Sequence, residues 1–247
     1  MSAQSPVILI LGAGPNIGIN VARVFAAKGY KVALASRSLK DQESTADQLN
    51  IPSDLSNPDS VVDAFSKVKA ALGTPSVVVY NAAALTRADG ENPLSLPLSD
   101  FTRDLNVNTT SAFVAAQQAV LAFQELSPSA SRTFIYTGNM LNTTVIPPLL
   151  DLGVGKSATA HIIQTAATSY SDRGFKYRNP QLPFLPLLTV HRFYYADERK
   201  ADGSITPQID GEAHAELYAQ LAEGKSQGPW QQTFVKGSGY KKFAPAN

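Results

Sequence analysis

Residues Val7–Leu11 are an unbroken apolar run that stops on Gly12-Ala13-Gly14 and passes, at Ile17, Val21, Val24 and Phe25, into apolar positions at helical spacing. A run with no polar face predicts a strand covered on both sides, as in a parallel sheet between helices. Glycines at the joint predict a turn that lets backbone approach a ligand. The N–H groups opening the following helix offer an anion a positive dipole end. Parallel strands must be joined by a crossover, so this junction already asks for a βαβ chain.

The rest of the chain repeats the pattern. Strands are predicted at 31–35, 76–80 and 133–136, and helices around 41–49, at Val61, Phe65, Val68 and Leu72, over 99–126 and over 153–170, with a polar loop at 86–97. Such alternation implies an α/β fold, a Rossmann-type doubly wound parallel sheet with helices on both faces. No repeat, low-complexity tract or linker divides it, so residues 1–247 are read as a single domain. A strand at 192–196, a helix at 210–223 capped by Asp210 and Gly224, and a last strand at 232–235 complete the reading. Three prolines in 179–188 bar a regular helix or central strand. The stretch of about 175–192 is therefore an irregular insertion or a substrate-side loop.

Composition removes several function classes. Lys+Arg 21 against Asp+Glu 20 leaves a formal net charge of +1, too little for a nucleic-acid footprint. With no cysteine, disulfides, thiolate metal sites and cysteine nucleophiles are excluded. His161, His191 and His214 have no metal-ligand spacing, and no Gly-x-Ser-x-Gly elbow occurs. The first apolar run is shorter than the core of a signal peptide, and no run is long enough to span a membrane. The expectation is a cytoplasmic protein acting on a small molecule, with no nucleic acid, membrane or metal.

In this setting Gly12, Gly14 and Gly18 point to phosphate binding, and four more stretches follow in order: Ser36-Arg37, Asp54-Leu55, Asn81-Ala82-Ala83 and Leu105-Asn106-Val107-Asn108. Together they resemble the short-chain dehydrogenase/reductase family over most of the chain. The family's glycine motif reads Thr-Gly-x-x-x-Gly-x-Gly. Gly12 and Gly18 match its outer glycines, Leu11 replaces the threonine, Asn16 the middle glycine, and Gly14 is additional. The resemblance implies that Gly12, Gly14, Asn16, Ile17 and Gly18 hold a pyrophosphate. It implies that Asp54 and Leu55 meet an adenine, and that Asn81, Ala82 and Ala83 lie beside the cofactor. Ser36 and Arg37 stand at the ribose. An arginine there, with no acidic residue, favours NADP(H) over NAD(H) through charge-assisted contact with the 2′-phosphate.

The resemblance breaks at the chemistry. The family's Tyr-x-x-x-Lys falls on Leu152-Gly153-Val154-Gly155-Lys156, and its serine, thirteen residues earlier, falls on Asn139. The catalytic tyrosine and serine are thus expected to be missing. Lys156 would act as acid or through a water held by Asn108, and Asn139 would donate a hydrogen bond to the substrate oxygen. Asp151 turns about 100° away from Leu152, and Tyr136 is expected in the core. Tyr177, Tyr194 or Tyr195 is a candidate for a displaced tyrosine. The Pro-Gly that usually follows the next strand is absent from 193–198. Two other readings stand beside an oxidoreductase: an NADP-binding sensor or scaffold without turnover, and a non-redox lyase or isomerase. The resemblance also implies a homodimer or homotetramer built on the two long helices.

Overall fold

The computed structural model describes residues 5–171 and 190–243. Its centre is one eight-stranded sheet in the order β3-β2-β1-β4-β5-β6-β7-β8. The strands are β1 (Val7–Leu11), β2 (Lys31–Ser36), β3 (Gln48–Pro52), β4 (Val77–Tyr80), β5 (Thr133–Thr137), β6 (Arg192–Arg199), β7 (Gln231–Val235) and β8 (Gly239–Tyr240). All neighbours pair parallel except β7 with β8.

The apolar runs are covered on both faces, as their composition requires. Val7, Leu9 and Leu11 pack with α2 (Asp59–Ala71), α4 (Ser111–Gln124) and α5 (Leu150–Ser169). Ile8 and Ile10 point the other way, against α1 (Ile17–Ala27) and α6 (Gly211–Glu223). The same period-two split runs through β4, β5 and β6. Sheet order reverses between β1 and β4, so a crevice opens beyond their carboxyl ends. No described helix is long and apolar enough to cross a membrane.

Three expectations need correction. Residues 41–49 do not form a helix. Asp41–Glu43 is a single 3₁₀ turn, and the chain then pairs with β2 as β3. The Ser44 and Thr45 hydroxyls take the N–H groups of Asn50 and Gln48, and the open edge of β2 offers a full ladder. The expected helix at 99–126 is divided. It runs as α3 (Leu98–Leu105), a π-turn over Asn106–Thr110, and α4. Finally, β7 is not the last strand. The chain turns back through Gly237 and Gly239, both at positive φ, to add β8. The stretch 172–189, and Tyr177 with it, lies outside the described residues.

Candidate active site

The crevice contains a cavity of about 860 Å³ lined by Gly12, Gly14, Ser36, Arg37, Asp54, Leu55, Asn81, Ala82 and Ala83. Gly12 sits at φ 90°, and a Cβ there would lie 2.3 Å from the Ala82 nitrogen. Only glycine lets the ends of β1 and β4 come this close. A Cβ on Gly14 would meet nothing within 4 Å. Asn81 holds the loop by donating its side-chain amide to the Gly12 carbonyl at 2.8 Å. Helix α1 starts without a side-chain cap, and the Asn16 side chain instead ties the loop to the chain before α6 by donating Nδ2 to Ile209 O at 2.8 Å. The Ile19 N–H is taken by Gly14 O at 3.1 Å, while those of Ile17 and Gly18 make no hydrogen bond among the described residues and remain available to an anion. Gly18 does not line this cavity; a Cβ there would lie 2.7 Å from the Ala13 Cα, so this glycine seats the helix on the loop. Ser56 holds the Asp54 carboxyl below its ordinary value through backbone and hydroxyl hydrogen bonds, with Arg37 adding to the effect.

A second cavity of about 310 Å³ adjoins the first, sharing Gly14, Pro15, Asn81 and Ala83, and is lined further by Asn16, Ile17, Thr137, Asn139, Leu152, Lys156 and His214. Here both faces of the sheet contribute: Lys156 from α5 on one, His214 from α6 on the other. Lys156 is buried. Its Nζ donates to Thr137 O at 2.7 Å and lies 4.5 Å from the centre of the Tyr136 ring. Burial pushes its pKa down to about 7, against the opposing pull of Asp197. Asn139 is held by accepting from Leu141 N at 3.0 Å through Oδ1. Its Nδ2 has no hydrogen-bond partner among the described residues.

Asn108 is placed differently from the expectation. It lines neither cavity and is fully buried. Its side chain bonds both the N–H and the carbonyl of Ala84, at 3.0 and 2.8 Å. Its own carbonyl already accepts from Tyr136 and Thr159. Both lone pairs are used, so Asn108 clamps the 81–84 loop rather than holding a water. The π-turn that aims it supplies this contact. Tyr136 is core, and Tyr194 and Tyr195 are buried too. Tyr194 bonds Ser226 O, and Tyr195 donates to Asn139 O at 2.6 Å. Neither offers its hydroxyl to the cleft. Asp151 is buried beside Asp104, accepts from Thr86 N and Leu152 N, and has its pKa raised by burial and then by Asp104.

Sequence reasoning set His214 aside. Nothing in its spacing marks it, since its place depends on how α6 packs over the end of β5. Tyr218, one turn further along α6, bonds the Thr137 hydroxyl at 2.8 Å and fixes that docking.

A family model described as enoyl-(acyl carrier protein) reductase matches residues 12–177. A short chain dehydrogenase/reductase from Cryptosporiopsis sp. (strain 8999) is 47% identical, over 97% of this chain and 96% of that protein. The chain belongs to the short-chain dehydrogenase/reductase family, a family of oxidoreductases. A 3-beta-hydroxysteroid dehydrogenase of Comamonas testosteroni is 27% identical over 71% of this chain and 68% of its own length. Among solved structures, a metagenomic short-chain oxidoreductase in complex with NADP aligns with TM-score 0.74 at 16% identity, covering 95% of this chain and 99% of that one. The NADPH-dependent 3-quinuclidinone reductase of Rhodotorula rubra aligns with TM-score 0.72 at 20% identity, over 96% and 91%. At such identities the structures speak for the fold.

Proposed function

We propose that the protein is an NADP(H)-dependent oxidoreductase that interconverts a carbonyl and an alcohol on a small molecule. The observation that carries this reading is the continuity of the two cavities, from Arg37 past the glycine loop to Lys156 and Asn139. The residues fit a dinucleotide. Gly14 leaves open space, α1 is uncapped, and a cation stands beyond β2 where an acidic residue would reject a 2′-phosphate. The metagenomic neighbour's bound NADP agrees with this choice.

The bound nicotinamide would supply or take the hydride. The protein's own residues would do the rest. Gly12, Gly14 and the start of α1 hold the pyrophosphate. Ser36 and Arg37 hold the 2′-phosphate, Asp54 and Leu55 the adenine. Asn139 Nδ2 donates a hydrogen bond to the substrate oxygen. Lys156, with a pKa of about 7, stands at the value where an acid exchanges a proton efficiently at neutral pH. In reduction it gives that oxygen its proton. Leu152 adds an apolar wall that keeps water out.

Calorimetric titration with NADPH and NADH, followed by a panel of carbonyl substrates, tests the reading. Charge-assisted bonds to the phosphate contribute about 1.5–3 kcal/mol, so NADPH should bind roughly 10- to 150-fold tighter than NADH, and Arg37→Ala should erase the difference. Binding of neither cofactor would sink the proposal. Leu152, in line with the family's tyrosine, favours the competing readings. NADPH binding without redox on any carbonyl would indicate a sensor or scaffold. Chemistry without a change in nicotinamide absorbance would indicate a lyase or isomerase.

A further inference from the structure

His214 is the fourth residue of α6 and 1% exposed, yet it lines the cleft that holds Lys156 and Asn139. Its Nδ1 lies 2.8 Å from Asp210 O. A carbonyl can only accept, so Nδ1 carries the proton and Nε2 carries a lone pair. Glu198 Oε2 lies 3.5 Å from the same Nδ1. Burial holds the ring neutral, with a pKa lowered to about 4, so this contact is not an ion pair. The edges of Tyr218 and Phe234, with centroids 5.7 and 4.9 Å away, fix the ring. Nε2 makes no hydrogen bond among the described residues, and it is not one of the described buried orphan atoms. It is therefore the ring atom that reaches the cleft, a preset neutral acceptor.

Its position selects the partner. The cleft joins the cofactor cavity through Gly14 and Pro15, and the Asn16–Ile209 hydrogen bond ties that loop to the chain just before α6. A ring arriving over Gly14–Ile17 thus meets the start of α6. Asn139 and Leu152, on the β5 and α5 side, are left for the substrate. Strand β6 runs straight on to Arg199, without the Pro-Gly turn that family members use at this place.

We propose that His214 Nε2 accepts a hydrogen bond from the carboxamide N–H of the nicotinamide and so sets the orientation of that ring. This rests on the cofactor reading above and deepens it. The test compares the affinity of NADP⁺ with that of its 3-acetylpyridine analogue, in which a methyl ketone replaces the amide and no N–H is available. Adenosine 2′,5′-bisphosphate is measured alongside as a probe of the adenosine half. Wild type should bind NADP⁺ about tenfold tighter than the analogue. In His214→Phe this preference should collapse towards unity with bisphosphate affinity unchanged, whereas His214→Gln, which retains an acceptor, should keep part of it. Equal binding of NADP⁺ and analogue by wild type overturns the proposal without reference to any variant. So does a preference that persists in a His214→Phe protein that still binds the bisphosphate. Failure of wild type to bind the bisphosphate would instead overturn the cofactor reading.

Discussion

Gly138→Ala tests how the floor of the cleft is built. Gly138 lies between β5 and Asn139, and a Cβ there would stand 2.1 Å from Tyr195 Cε1 and 2.2 Å from Cζ, more than 1 Å inside ordinary contact. The Tyr195 ring is fully buried. It stacks on Tyr136 with centroids 5.6 Å apart, and Trp230 meets it edge-on at 6.2 Å. Its hydroxyl is bonded to both the N–H and the carbonyl of Asn139. A methyl group at 138 must either strain this stack, at about 1–3 kcal/mol, or also break the two hydrogen bonds, at about 0.5–1.5 kcal/mol each. The expected loss is roughly 1–6 kcal/mol of unfolding free energy, the lower part if the ring stack alone is strained. Urea unfolding followed by Trp230 fluorescence reads it directly, since the chain has one tryptophan and it touches Tyr195. In a Tyr195→Ala background the same substitution should cost less than about 0.5 kcal/mol, because the obstruction is gone. A single variant as stable as wild type would refute the reasoning.

Two further outcomes are expected. Lys156 has its pKa lowered to about 7 from 10.5, so above pH 7 the unfolded chain binds a proton that the native protein has released. Stability should therefore rise with pH between about 7 and 9. Lys156→Met should be more stable than wild type at pH 7 and lose that rise. A wild-type curve that is flat across this window would contradict it; Asp197, with Arg199 paired to it, is the nearby charge to monitor. The second concerns assembly. Phe113, Leu121 and Tyr170 are exposed around a depression of about 570 Å³ between α4 and α5. We propose this face as the contact of a homodimer or homotetramer. Leu121→Glu should lower the sedimentation coefficient to that of a monomer, and a wild type that already sediments as a monomer would rule the contact out.

Local pattern carried some elements almost to the residue. The run Val7–Leu11 is strand β1 throughout, and Asp210 caps α6 by accepting from Ala213 N as its side chain suggests. Both depend on neighbours in the chain, so spacing suffices to read them. That Gly12, Ser36, Asp54 and Asn81 would line one crevice was legible for a related reason. They end successive strands, and parallel pairing must bring strand ends together. Strand β3 was not legible, because Gln48–Pro52 becomes a strand only on meeting the free edge of β2.

The chemistry of the second cavity belongs still more to the tertiary structure. That Lys156 sits in line with a family lysine is a fact of sequence. That burial pushes its pKa down to about 7 follows only from how α5 packs it against the sheet. Asn108 was recognisable by its motif, but the π-turn turned it onto Ala84 and away from the cleft. His214 came to the site through the packing of α6 on α1 and the sheet, with Tyr218 bonded to Thr137, 81 positions earlier in the chain. By itself the sequence determined β1, β2, β4, β5, β6 and β7 and the main helices between them, and with them the crevice, because hydrophobic periodicity is local. Which polar atoms face that crevice, and in which protonation state, was decided by packing, because desolvation and hydrogen bonding depend on neighbours that chain order does not specify.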